Sequence, residues 1–385
     1  MSAFLSEPAV VCALGRDAAE VREALFAPAV GGVQVSDFFS AQRPLALGRV
    51  PGEVPALADV PEALRSRNNA LLAMAMAQLP LAALVERFGR ARVGVVLGTS
   101  TSGIGESELA IDAYVKTGAR PAGYTYLKQE LGSPARFVAR QLGTSGPTAV
   151  ISTACSSSAK AMASAARWLE AGLVDAVITG GVDSLCRFTI AGFSALESVS
   201  DGRCNPMSRH RNGINIGEAA ALFVMTREDT GVRLAGWGES SDAHHLSAPD
   251  PEGKGAVAAM RQALARAQRA GVDYVNLHGT ATPLNDAMES RAVDAVLGLE
   301  VPCSSTKPLT GHTLGAAGAL EAALSYLTLT DGAGRLPPHW FDGARDEALP
   351  GIRLAQVGER AAPRAVLSNS FAFGGSNAAL VLVRD

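Results

Sequence analysis

Aromatic side chains make up only 5% of this 385-residue chain and charged ones only 18%. So few rings argue against a sandwich built on aromatic residues, and forty glycines with abundant alanine argue for helices packed closely on sheets. Basic residues are nowhere dense. The net charge is −3, and no block of lysine or arginine could follow a phosphate backbone, so nucleic acid is not an expected partner. Long apolar runs are missing too: each is broken by Gly, Pro or charge well short of about 18 residues, and the N-terminal Met-Ser-Ala-Phe-Leu-Ser-Glu-Pro carries no basic flank. The expectation is a soluble, cytoplasmic protein without membrane insertion.

Five cysteines, Cys12, Cys155, Cys186, Cys204 and Cys303, form no Cys-x-x-Cys pair and no metal-ligand spacing. Reduced thiols are expected. The adjacent His244 and His245 have no third ligand at finger-like spacing and read as a polar loop. A serine-hydrolase reading fails for want of a Gly-x-Ser-x-Gly elbow.

What the chain does contain is 48% apolar residues, enough at this length for a large core. Short β-branched runs alternate with alanine-rich ones: Arg92–Leu97, a helix near Arg136–Gln141, Thr148–Ser152, a helix over Ala159–Ala171, then Asp175–Thr179. That alternation predicts crossover units in an α/β fold whose strands lie mostly parallel. Beyond about residue 230 the theme restarts, with helices at Val257–Arg269, Asp286–Leu297 and Ala319–Leu329 and strands at Tyr274–Leu277, Val301–Ser305 and Ala378–Val383. We therefore expect two duplicated α/β halves, residues 1–230 and 231–385, packed about a pseudo-twofold with a pocket at the seam.

Three reactive side chains share one kind of address, the end of a strand or the start of a helix. Cys155 lies in Thr-Ala-Cys-Ser-Ser-Ser, where unpaired helix N–H groups would lower a thiol pKa from roughly 8.5 and favour the nucleophilic thiolate. His278 follows an apolar run within His-Gly-Thr-Ala-Thr-Pro, and His312 opens His-Thr-Leu-Gly-Ala-Ala-Gly. Taken singly, the cysteine could be a small core filler and each histidine a satisfied loop residue. Glycines at 279, 311, 315 and 318 suit a crowded site where backbone and a substrate arm approach closely.

These motifs, with Lys307-Pro-Leu-Thr-Gly-His312 and Asn369-Ser-Phe-Ala-Phe373-Gly-Gly-Ser-Asn, resemble the β-ketoacyl-acyl-carrier-protein synthases, condensing enzymes of the thiolase superfamily, from about Val93 to the C-terminus. Two histidines place the resemblance with the elongating type. It implies a thiolase-like fold in a five-layer αβαβα arrangement and decarboxylative Claisen condensation of an acyl chain, held as a Cys155 thioester, with malonyl-acyl carrier protein. No cofactor is required, since substrates arrive on the carrier's phosphopantetheine. The resemblance further implies roles: an oxyanion hole from the N–H groups of Cys155 and Phe373, and neutral His278 and His312 donating hydrogen bonds to the enolate. Lys307 and Glu321 would interact to support the His312 loop, Phe373 would be the gate with Phe371 and Gly374 in support, and Thr280 and Thr282 would hold pantetheine. Asn276, Glu289, Glu321, Ser368 and Asn369 match a structural monovalent-cation site. Arg65 and Arg67 are candidate contacts for the acidic carrier, or ordinary exposed charges.

The sequence departs from the family pattern at Asn205-Pro-Met-Ser208, Arg211-Asn-Gly213 and Gly217-Glu-Ala219, which leans towards a specialised polyene or polyketide synthase. A homodimer is expected, with a heterodimer containing a synthase-like chain-length subunit as the alternative. A chain-length factor itself would typically lack the cysteine present here, and a degradative thiolase should carry a second catalytic cysteine, whereas none follows Cys303.

Overall fold

A computed structural model describes residues 3–37 and 43–384. The N-terminal part opens with β1 (Ala3–Leu5) and β2 (Ala9–Val11), and a separate ribbon pairs β3 (Gln34–Ser36) with β4 (Leu45–Leu47). It continues through β5 (Val93–Gly98), β6 (Thr148–Ile151), β7 (Ala176–Asp183) and β8 (Ala219–Thr226). The C-terminal part supplies β9 (Val232–Ser241), β10 (Tyr274–Asn276), β11 (Cys303–Ser304), β12 (Ala365–Ala372) and β13 (Ser376–Arg384).

All but the ribbon join one 11-stranded sheet in the order β6-β5-β7-β8-β1-β9-β13-β12-β10-β11, with β2 also on β8. Read outward from the β1–β9 seam, the two arms repeat a single plan: first strand, then fifth, fourth, second and third, leaving out β2 and the ribbon. The duplication is therefore visible in topology.

The expectation of mostly parallel strands needs correction. Parallel pairing is confined to the arms, β5 with β6 and β7, and β10 with β11 and β12. Every pairing across the middle is antiparallel. On one side the cause is a tight turn, Phe373–Gly375, which reverses the chain between β12 and β13.

Five layers result. Helices Arg67–Met76 and Ser133–Leu142 cover the outer face of the first arm, and Lys254–Arg266 and Pro283–Leu297 that of the second. Between the arms lie Ser157–Glu170 and Ala317–Leu329. Every residue of Ala317–Leu329 is buried, as a helix with no polar stripe must be. Its Ser325 and Thr328 hydroxyls are satisfied by donating to Glu321 O at 2.7 Å and Leu324 O at 2.8 Å. Gly318 lets the two central helices touch, since a Cβ there would stand 2.8 Å from Ala159. Three apolar cores follow the layering, one between the arms and one beneath each outer pair of helices.

Candidate active site

The parallel strands end on the same face, and the reactive groups sit just beyond them: Cys155 after β6, His278 after β10, His312 after β11 and Phe373 after β12. Each of the three side chains expected to react has a non-glycine residue in the left-handed region close by, Ala154 (φ 52), Ala281 (φ 65) and Leu314 (φ 51). Strain of this kind persists where surrounding packing fixes the backbone, and it gathers at reactive sites.

The fold brings the cysteine and both histidines together. Cys155 Sγ lies 3.0 Å from His312 Nε2, and one ligand atom from each of the three side chains lies within 4.8 Å of the others. The imidazoles meet edge to face, 5.3 Å between centroids. All three line a cavity of about 330 Å³ with Thr280, Thr282, Phe371 and Phe373. Thr280 and Thr282 share a hydroxyl contact of 3.0 Å at its wall.

Burial reverses one sequence-based expectation. The Cys155 thiol is pushed up to about 12, because desolvation outweighs the nearby Lys307 charge and the N–H groups of Phe373 and Cys155 that favour thiolate. The helix proper starts at Ser157, with Ser156 as its N-cap directly after Cys155. Ionisation must instead be coupled to the adjacent imidazole. Those two N–H groups nevertheless bond toward the sulfur, the disposition expected of an oxyanion hole. Burial, helped by Lys307, holds both histidines well below the usual value, so each is neutral.

Lys307 is fully buried and pairs with Glu321, as expected, but its other bond corrects the expected role: it donates to the backbone carbonyl of His278 and lies 3.4 Å from His278 Nδ1. The lysine thus braces His278 directly. His312 is braced otherwise, through His312 N to Asn215 O at 2.6 Å and Gly217 N to His312 O at 2.9 Å.

Around His278 stand the residues of the candidate cation set. Glu289 accepts from His278 N and Gly279 N, each at 2.7 Å, and burial raises its carboxyl to about 7. Asn276 Oδ1, Ser368 Oγ, Asn369 Oδ1 and Glu321 Oε2 are buried without a hydrogen-bond partner. Orphaned buried oxygens are costly, and their grouping fits a small oxygen-liganded cation.

Phe371 packs 6.2 Å from His278, and Phe373 packs 5.7 Å from Phe193, a partner the sequence gave no reason to single out. Gly374 has φ 78 and donates its N–H to Leu246 O at 2.7 Å. Arg65 and Arg67, the candidate carrier contacts, also bond within the chain. Arg67 is committed to buried Glu218, and Arg65 to the carbonyls of Val60 and Ala58 and to Glu62. Asp183 was also missed: it accepts from the backbone N–H groups of Ser100, Thr101 and Gly315 and from three hydroxyls, tying the strand β5 exit to the His312 loop. Its sequence signal is a carboxylate ending an otherwise apolar, glycine-rich strand.

Fold and site together define a thiolase-like condensing acyltransferase. Residues 69–230 match the family model for the β-ketoacyl synthase N-terminal domain and residues 232–340 that for its C-terminal domain, and the chain belongs to this family. It is 33% identical over 314 residues to 3-oxoacyl-[acyl-carrier-protein] synthase 2 of Coxiella burnetii, covering 76% of this chain and 75% of that one. Among solved structures, a ketosynthase in complex with its chain length factor from Xenorhabdus doucetiae is 43% identical with TM-score 0.94, over 100% of this chain and 98% of the other. A β-ketoacyl synthase from Burkholderia phymatum is 26% identical with TM-score 0.89, over 100% and 99%.

Proposed function

We propose that this chain is a β-ketoacyl-acyl-carrier-protein synthase that extends an acyl chain by decarboxylative Claisen condensation. The observation that carries the reading is the convergence of Cys155, His278 and His312 on one cavity. Acyl-phosphopantetheine enters that cavity between Thr280, Thr282 and the aromatic gate. Cys155 sulfur attacks the thioester carbonyl as its proton passes to His312 Nε2, and the carrier thiol leaves with a proton. Malonyl-phosphopantetheine then binds and loses carbon dioxide, and the enolate oxygen receives hydrogen bonds from neutral His278 and from neutral His312 in its Nε2–H tautomer. The enolate carbon attacks the Cys155 thioester, whose oxyanion sits against Phe373 and Cys155 N–H. Collapse releases β-ketoacyl-carrier protein and expels Cys155 as thiolate, which takes a proton from water to restore the thiol. One such N–H donor is worth about 10²- to 10³-fold in rate.

Lys307 and Glu321 serve this cycle by holding His278 in place, and Phe371, Phe373 and Gly374 by gating access. Asn276, Glu289, Glu321, Ser368 and Asn369 would hold a monovalent cation that fixes the His278 loop. The chain is proposed to act in the cytoplasm, and among its described residues no single helix is long and apolar enough to cross a membrane. The division into halves is proposed to fall between residues 230 and 231.

A specialised polyene or polyketide role, with a synthase-fold partner subunit, draws support from the 43% identity to a ketosynthase that works with a chain length factor. A homodimer is the alternative. Against a degradative thiolase, Cys155 is the one cysteine among the described residues lining the cavity. The test is mass spectrometry of the intact chain after incubation with a panel of acyl-carrier proteins. An acyl adduct on Cys155, absent from Cys155→Ala, is expected; condensation retained by Cys155→Ala would refute the reading.

A further inference from the structure

The two N–H groups of the oxyanion hole come from distant parts of the chain, and each stands beside a serine. Ser156 follows Cys155 directly. Ser376 closes the Phe373–Gly375 turn, paired in register with Ala372. The two hydroxyls meet: Ser156 Oγ lies 3.1 Å from Ser376 Oγ and 2.9 Å from the Thr153 carbonyl. Lys160, in the first turn of the helix after Cys155, donates to Ser376 Oγ at 2.6 Å.

This arrangement has a cost that needs a reason. Lys160 is half-buried, and desolvation lowers its pKa. Its charged neighbours, Glu239 and Arg167, pair with each other at 2.7 Å, and the one hydrogen bond of its ammonium among the described residues is to Ser376. The turn it reaches holds two glycines at φ 78 and 70, a backbone with wide freedom unless something outside fixes it.

We propose that Lys160, Ser376 and Ser156 form a clamp that sets the spacing of the Cys155 and Phe373 N–H donors, making Lys160 and Ser376 positioning residues for acyl transfer. This rests on the condensation reading above. Hydrogen bonds aimed at a developing oxyanion lose most of their effect when the donors drift, and a misplacement near 1 Å can cost about 10²-fold. The clamp acts on the Cys155 thioester and not on the histidine pair, so it should separate two half-reactions.

Two rates are measured on full-length chains: acylation of Cys155 by intact mass, and decarboxylation of malonyl-carrier protein in a Cys155→Gln background. Lys160→Met and Ser376→Ala should each slow acylation about tenfold or more. Decarboxylation and melting temperature should stay unchanged, and Lys160→Arg and Ser376→Thr should recover most of the acylation rate. Acylation at the unaltered rate in both variants overturns the clamp, as does a joint fall of acylation, decarboxylation and melting temperature, which marks a merely structural role. If the unaltered chain takes no acyl group, the condensation reading falls and the clamp with it; if it acylates while the variants keep pace, only the clamp falls.

Discussion

At the scale of residues, the Cys155–His312 contact decides reactivity. A thiol raised to about 12 beside an imidazole held well below its usual value cannot titrate as a free cysteine does. Between pH 6.5 and 8.5 an ordinary thiol gains about 50-fold in thiolate. Cys155, reacting through proton transfer to a partner 3.0 Å away, should show alkylation by iodoacetamide that changes little over that range, and His312→Ala should slow it at every pH. A free-thiol profile in the unaltered chain would contradict this coupling. Cys155→Gln should still release carbon dioxide from malonyl-carrier protein while losing condensation, because both histidines remain; carbon dioxide capture measures it. Lys307 and Glu321 make a buried pair, and burial already raises the Glu321 carboxyl to about 7, so Lys307→Met should leave it protonated and without its partner, destabilising by about 1–3 kcal/mol. Urea titrations measure that loss.

At the scale of elements, the helix Ala317–Leu329 is the most constrained piece. Gly318→Ala should cost about 1–3 kcal/mol by overpacking against Ala159, read as a lower urea midpoint with an unchanged slope. The sequence made this helix easy to find, since thirteen residues without charge except Glu321 can only be interior. Strands β6 and β10 were equally legible, being short β-branched runs with a glycine- or serine-rich loop after each. Strands β8, β9 and β12 were not anticipated. Their residues pack on both faces or alternate small with large, so neither a period of two nor one of 3.6 stands out. Antiparallel direction was hidden for another reason: it is decided by pairing between segments far apart in sequence. The cysteine and both histidines were readable because each occupies a loop that close packing forces to be rich in small residues. Gly315 faces Ser100 N and Gly318 faces Ala159, so protein backbone accounts for those two glycines. The bonds of Arg67 and Asp183 were not readable, since their partners lie up to 151 residues away.

At the scale of the whole molecule, two arms of one sheet hold Cys155 on one side and His278 and His312 on the other, so the site exists only while the arms stay together. Edge strand β6 is partly buried, with Thr148 exposed, and β6 leads directly into Cys155. Co-expression with a neighbouring synthase-like subunit should shift the native mass from that of a self-association to that of a mixed pair. A mass unchanged by co-expression would leave the homodimer.

Strand β1 draws its two neighbours from different arms: Phe4 faces Thr226 on one side and Arg233 on the other. A nascent chain must therefore carry this segment, with its apolar Leu5, unpaired until both partners have emerged from the ribosome. Such a delay slows folding and exposes the segment to wrong pairings. A chain ending at residue 230 would keep β8 but leave the other edge of β1 open, a consequence of where one three-residue strand sits.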